Sequence, residues 1–447
     1  MGRVSTADLV TMASSSPLST IPNELLLETF LICFHQLQSN LERARFPETL
    51  RLVSHRFSLL TLSCGHLWSQ ILITSHTRSS KLSERLSRAG SSLLRLEFAL
   101  SEEEEEKEWE GEEEEETTNR IPSNSKILAS VLRPTTDRWR VLHVTGHPNT
   151  AEDMFAELEL NSFTSLQEIS VDSSYWEVYE LPGYLLHDDI QVLKSINCGF
   201  RWLSPLPHHL RELCIEETHN SPIISIKDMA AALMQVPDLT TLSLANVQLL
   251  EVDGEEIPET SYVAESRCIM LKLENLSLIS SRFSDSGVIF SNIVASNLRF
   301  LQLSFDPDEA ELFDEEEVVD ICGEAWKRLS FPKLERFKLG EIGSFRPLLL
   351  DFLAKMPSSM ECLIIDNPSN LDQYIGLLRH PRLSGFRSQL LHVATIGVDL
   401  RTLVIKMENY FMNIVTLEVD YFCEEATIAL ARRKLRGDAV VKGSILK

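Results

Sequence analysis

Cysteine is sparse in this 447-residue chain. Cys33, Cys64, Cys198, Cys214, Cys268, Cys322, Cys362 and Cys423 stand far apart and never form a C-x-x-C pair. That argues against a disulfide framework and against a zinc site. No run approaches the roughly 20 apolar residues of a membrane span, and no apolar leader follows Met1, so neither a membrane partner nor a secreted location is expected. The expected compartment is cytoplasmic and/or nuclear. Positive charge is also short: Lys and Arg number 42 against 66 Asp and Glu, a net charge of −24. Nucleic acid is excluded as a main partner, because phosphate neutralisation needs clustered cations. The one basic cluster, Arg432, Arg433, Lys434 and Arg436, reads as a solvated helix end. Catalytic signatures are missing as well. There is no P-loop, no G-x-G-x-x-G after a strand, no G-x-S-x-G elbow and no H-E-x-x-H. His187-Asp188-Asp189 and His208-His209 come nearest to a site, but they sit in loop-like text without partners at metal spacing. No enzyme activity, no metal and no cofactor is expected.

What the chain does contain is repetition. An L-x-x-L-x-L pattern, with apolar substitutions, starts at Leu93, Trp139, Leu166, Leu210, Leu239, Leu273, Leu298, Leu334, Met360, Leu400 and Ile414. Its last two apolar positions alternate with polar ones, as in a strand with one buried face. Degenerate copies are expected at Leu193-Ile196-Cys198 and at Leu383-Phe386. Helical spacing precedes several strands and ends at a proline. Ile226, Met229, Ala230, Leu233 and Met234 stop at Pro237; Leu349, Phe352, Leu353 and Met356 stop at Pro357. Residues 318–329 stop at Pro332, Ile127 to Leu132 at Pro134, and Leu371 to Leu378 at Pro381. Neither the helix nor the strand can bury its apolar face alone, so the units must stack. These repeats resemble the leucine-rich-repeat family. The resemblance implies an α/β solenoid over residues 93–423, a parallel sheet on its concave side and helices outside. An ordinary α/β domain with a parallel sheet is the rival fold.

A different text precedes the repeats. Residues 1–17 are polar, Ser-rich and expected to be disordered. Ile21-Pro22-Asn23-Glu24-Leu25-Leu26 opens a helix whose apolar stripe continues through Thr29 and Phe30. A polar interval runs to about Glu48, then a second helix begins near Leu50 and carries Val53-Ser54-His55-Arg56-Phe57. Leu67-Trp68 closes the segment. These three ordered blocks resemble the F-box, with Ser54 for the usual Cys and Phe57 for the usual Trp. With repeats downstream, the layout is most similar to the fungal F-box proteins.

The resemblance implies an all-α module at 18–72 and a connecting helix at 73–92. It also implies a docking partner, the adaptor subunit of a cullin–RING (SCF-type) ubiquitin ligase. Ile21, Pro22, Leu25, Leu26, Phe30, Leu52 and Val53 are the contact positions so implied. Phe57 and Trp68 are expected to brace the module. The alternative is that these helices merely cap the repeats. Leu82, Leu86 and Ala89 predict the connecting helix, with Gly90 as its stop. Residues 424–447 are expected to form a C-terminal helix and tail.

Twelve glutamates and one lysine fill residues 102–116. The surrounding stretch, 101–125, reads as a disordered insertion, either bland or a lure for a basic partner. A protein substrate is expected on the strand residues between the buried ones: Glu168, Ser170, Asp172, Glu212, Glu216, Thr241, Ser243, Asn275, Ser277, Phe300, Gln302, Arg336, Lys338, Thr402 and Lys406. The earlier strands read acidic there and the later ones basic. The implied function is substrate recognition for a ubiquitin ligase; the alternative is a repeat scaffold unrelated to ubiquitination.

Overall fold

The computed structural model describes residues 17–37, 39–74, 76–100, 124–146, 158, 163–172, 186–197, 206–216, 224–247, 249–250, 268–281, 283–305, 331–341, 346–366, 371–396, 401, 405, 416–423 and 440–445. The disorder expected at 1–16 and 101–123, the helix expected at 318–329, and the basic cluster at 432–436 lie outside them. The chain divides into two compact units, Met1–Leu166 and Gln167–Lys447.

In the first unit, helices α1 (Asn23–Gln36), α2 (Asn40–Val53) and α3 (His55–Ser63) lead through a 3-10 turn at Gly65–Trp68 into strand β1 (Gln70–Thr74). Helix α4 (Ser79–Ala89) then joins β1 to β2 (Leu94–Leu100). Helix α5 (Asn124–Leu132) and a 3-10 turn at Arg133–Arg138 precede β3 (Trp139–Gly146). The three strands pair in parallel in that order. Gly90 ends α4 at φ 58°, a backbone that favours glycine.

Three expectations are corrected in this unit. The interval after α1 is helical: α2 starts at Asn40 and runs through Pro47. Ala44, Pro47 and Leu50 form its buried stripe, packed toward β1, and that burial outweighs the hydrogen bond Pro47 cannot make. The repeats also begin earlier than residue 93. Trp68, Ile71 and Ile73 are buried in the same L-x-x-L-x-L spacing, so β1 is a repeat strand attached directly to the helical module. In β2 the first inward residue is Leu94, and Leu93 is exposed, because the ladder shifts register between Leu94 and Arg95.

The second unit holds β4 (Glu168–Asp172), β5 (Val192–Ile196), β6 (Glu212–Glu216), α6 (Ile226–Met234), β7 (Thr241–Ala245), β8 (Asn275–Ser281), α7 (Phe283–Asn292) and β9 (Phe300–Phe305). It continues with β10 (Arg336–Leu339), α8 (Arg346–Ala354), β11 (Cys362–Asp366), α9 (Leu371–Arg379), α10 (Ser384–Gln389), β12 (His392–Ile396), β13 (Thr416–Cys423) and β14 (Val440–Ile445). These strands neighbour one another in chain order, β4 to β14, and every pairing among the described residues is parallel. The expected α/β class with a parallel sheet and N-terminal helices is what the chain adopts.

The inward positions align across the sheet. Leu242, Leu276, Leu301, Phe337, Leu363, Val393 and Leu417 are successive register partners, and each is buried. Their face meets the helices, as where the Phe337 and Phe352 rings lie 5.8 Å apart. Each of the strands β4 to β11 is entered through a turn closed by a backbone bond, such as Leu273 N–H to Met270 O at 3.3 Å and Leu334 N–H to Phe331 O at 3.1 Å. One carbonyl of the preceding strand then accepts two consecutive N–H groups. Glu274 O takes Arg299 and Phe300, Arg299 O takes Glu335 and Arg336, and Glu335 O takes Glu361 and Cys362. Asn197 and Asn246 leave β5 and β7 with φ of 55°, which asparagine tolerates better than most residues.

Four further corrections concern this unit. Of the strand expected at Leu400 to Ile405, the described residues Arg401 and Ile405 are helical, and Ile405 is exposed. The strand is β12 instead, with Leu390, Val393 and Thr395 inward. Leu383 and Phe386 belong to a 3-10 turn and α10. The degenerate copy near residue 193 runs Ile190, Leu193, Ser195, so Ile196 points to the other face. At the C-terminus, 440–445 is a strand paired with β13; the helix expected before it, 424–439, lies outside the described residues.

Two outcomes follow. Leu276→Ala should cost about 2–5 kcal/mol in chemical denaturation and Ser277→Ala far less; equal losses would contradict this register. Glu97 on β2 is held above the ordinary carboxylate range by burial, against a lowering hydrogen bond from Asn40 of α2. A carboxyl raised in the folded state loses stability as pH climbs through its unfolded value toward its folded one. Glu97→Gln should therefore raise Tm at pH 7, with the gain shrinking below pH 4.

Candidate functional site

Two surfaces are built by these elements, one in each unit. In the first, α1 spends one stripe on the core and leaves the other outside. Leu26 (3% exposed), Phe30 and Phe34 are buried, with Phe30 edge-on to Phe57 at 4.8 Å. Leu25 (53%) and Ile32 remain exposed. Leu52 (87%) and Val53 project at the corner between α2 and α3, where the Ser54 hydroxyl caps α3 by accepting from Phe57 N–H at 3.1 Å. Arg56 ties that corner to the start of α1. Its Nε donates to Asn23 Oδ1 at 2.8 Å and its Nη1 to Leu18 O at 2.9 Å.

Of the implied adaptor contacts, Pro22, Leu25, Leu52 and Val53 are thus exposed at one end of the module, and Ile21 is half-buried. Leu26 and Phe30 are not available to a partner. They sit one and five positions after Leu25, on the turn of the helix that faces α3, and they form core. Leu59 and Leu62 on α3 are also exposed, and the motif comparison did not reach them. Trp68 is fully buried: its Nε1 donates to Thr61 O at 2.9 Å, and Arg88 of α4 lies 4.5 Å over its ring.

The second surface is the polar face of the β4–β14 sheet. Glu168, Ser170, Asp172, Glu212, Glu216, Thr241, Ser243, Asn275, Ser277, Phe300 and Lys338 are half-exposed on it, and Arg336 is exposed. Gln302 lies at the same register but is closed over, at 9% exposure. Thr402 and Lys406 lie outside the described residues. The acidic-to-basic gradient is partly cancelled in place. Lys194, which the misread register of β5 concealed, meets Glu212 at 3.0 Å, and Lys338 meets Asp366 at 2.7 Å. Burial draws the Lys194 ammonium down, but the Glu212 hydrogen bond and the charges of Glu212 and Glu168 carry it above its ordinary value. Burial alone raises the Asp172 carboxyl.

Arg336 lies 5.2 Å over the Phe300 ring. Beside it a groove of ≈ 670 Å³ crosses β10 to β13. Ile364 and Ala394 are apolar positions in it; Arg336, His392 and Glu418 bring charge or a titratable ring, and Cys362 a thiol. His392 and Ala394 went unread because the sequence pattern placed this strand at Leu400; Glu418 sits on the strand that was read from Ile414. Allowing Thr395 in the third inward position would have revealed the first two. Cys362 and His392 are register partners on β11 and β12, with no hydrogen bond between them among the described residues, and burial pushes the Cys362 thiol up, away from the reactive thiolate. The arrangement can grip a chain of mixed character by shape and charge.

His187-Asp188-Asp189 and His208-His209 fall in the turns before β5 and β6. His187 Nδ1 accepts from Asp189 N–H at 3.3 Å, a local turn contact. Among the described residues no three His, Cys, Asp or Glu side chains converge as metal ligands, and no helix is long and apolar enough to cross a membrane.

No protein-family model matches the chain, and no curated protein is significantly similar to it.

The groove makes a simple prediction. At pH 8, iodoacetamide should label exposed Cys33 well before Cys362, read by peptide mass mapping of the native protein. Equal rates would place Cys362 in an open, ionised setting.

Proposed function

We propose that this chain is a non-catalytic substrate receptor of a cullin–RING ubiquitin ligase. In this reading, the N-terminal helices are an F-box-like module docking the ligase adaptor. The strands are leucine-rich repeats of a solenoid, and their polar face takes the substrate protein. The observation that carries the reading is the fate of the apolar residues at the module's open end. Leu25, Leu52 and Val53 stay in water although Leu26 and Phe30, next to them in sequence or on the helix, are used in the core. Clustered exposed apolar side chains on a small helical unit mark a docking face. Their positions coincide with the blocks that resemble the F-box. The groove beside Arg336 supports a protein ligand on the other unit, since it offers an apolar floor and a charged rim.

A second reading has its own observation. Arg85 of α4 donates to the Ala44 carbonyl of α2 at 2.6 Å and to the Gln70 carbonyl of β1 at 3.1 Å, and Asn40 bonds Glu97. The helices therefore also cover the first strands, as a cap on a scaffold would.

A pull-down with purified ligase adaptor separates the two. Wild-type chain should bind, and Leu25→Asp with Leu52→Asp should abolish binding while leaving Tm within about 2 °C, as expected for exposed sites. Absence of wild-type binding favours the cap. Binding that survives the double substitution refutes the contact face.

A further inference from the structure

A second cleft, of ≈ 700 Å³, lies in the first unit between α2, β1 and α4. Five arginine and lysine side chains line it against two glutamates, in a protein whose net charge is −24. Two of the five cations are paired with carboxylates, and Arg51 lies 5.8 Å over the Trp68 ring. Arg85 lies 3.8 Å from Glu48 and gives its remaining N–H groups to backbone carbonyls. Arg88 is paired with Glu84 and rests on Trp68. The other three, Arg51, Arg78 and Lys81, meet no carboxylate at ion-pair distance among the described residues. Arg51 Nε is moreover buried without an acceptor.

Like charges gathered in a half-buried cleft repel, and a buried donor without a partner costs stability. Burial has already drawn the Arg85 guanidinium down to about 10, with Glu48 opposing and Arg88 adding to the fall. Such a site is relieved by an anion. Guanidinium forks match phosphate oxygens, and three unpaired cations match more charge than one monoanion carries. The volume falls in the range of small-molecule sites, roughly 300–1,000 Å³. A long nucleic acid would have to approach against the acidic field of the whole chain, whereas a compact ligand enters the cleft alone.

We propose that this cleft binds a small polyphosphate anion, a molecule carrying two or more phosphate groups, held by Arg51, Arg78 and Lys81. The site is independent of the ligase reading. It stands whether the module docks an adaptor or caps a scaffold.

Pyrophosphate is the probe, titrated into the full chain by calorimetry and by thermal melting, with sodium chloride at equal ionic strength as the reference. Saturable binding is expected, with a rise in Tm beyond that reference. Arg78→Glu with Lys81→Glu, both at exposed positions, should weaken binding at least about tenfold, the scale of a lost charge-assisted contact. Arg78→Gln with Lys81→Gln serves as the milder pair if charge reversal disturbs folding. Undiminished binding in a folded double variant overturns the proposal. So does a wild-type shift no larger than salt produces.

Discussion

One backbone carbonyl accepting two successive N–H groups from the next strand recurs from β4 to β12, and most of the second unit depends on it. A parallel pair can slip by one residue only if every side chain changes face. The shared acceptor blocks that slip at the strand's first residue. The turn closed just before it sets where the strand can start. With both ends of the entry fixed, the leucines fall into one line and the residues between them onto the opposite face. Burying each of these large apolar side chains contributes about 1.5–3 kcal/mol, which no single strand could collect alone. The polar face is then a by-product of the buried one.

The two surfaces differ in kind for that reason. On the sheet, regular spacing presents side chains every second residue, and neighbours such as Lys194 and Glu212 or Lys338 and Asp366 neutralise each other across strands. What remains unpaired there is a shallow groove with an apolar floor. On the helical module, three short helices cannot bury all their apolar residues, so some are left at the α2–α3 corner. Binding by the first would draw on shape and hydrogen bonds, and binding by the second on desolvation.

The repeating strands were legible because the period-2 alternation and the leading leucine are local signals that tertiary packing then confirms. Eight of the triplets read, those starting at Trp139, Leu166, Leu210, Leu239, Leu273, Leu298, Leu334 and Met360, are buried in the expected register and needed no more than Leu, Ile, Val, Phe, Met or Trp. The misses at β5 and β12 share a cause. At β5 and β12 the third inward residue is Ser195 or Thr395, a small polar side chain that the interior tolerates, so the pattern slid to stronger apolar text nearby. Thr395 Oγ1 has no hydrogen-bond partner, a local cost that a composition rule counts against a strand. α2 was hidden by Pro47, whose local penalty is visible in sequence while the packing that offsets it is not. Among the adaptor positions, motif resemblance could name Leu25 and Leu26 but not say which faces outward. That division depends on where α3 lies, and the bonds that tie Arg56 of α3 to Asn23 and Leu18 span 33 and 38 residues of sequence.

Trp68 belongs to the helical module by its 3-10 turn and to the repeat ladder by its spacing to Ile71 and Ile73. Just before it, Gly65 approaches the Ala89 carbonyl so closely that a Cβ there would sit 2.5 Å from that oxygen. The boundary between the two kinds of structure therefore has no seam. Cutting the chain after residue 64 would remove the lid of the first strand, and cutting after 74 would strip the module of α4 and its arginines. Anyone grafting these helices onto a foreign array would have to carry residues up to Gly90 with them, and evolution faces the same constraint when it shuffles such parts.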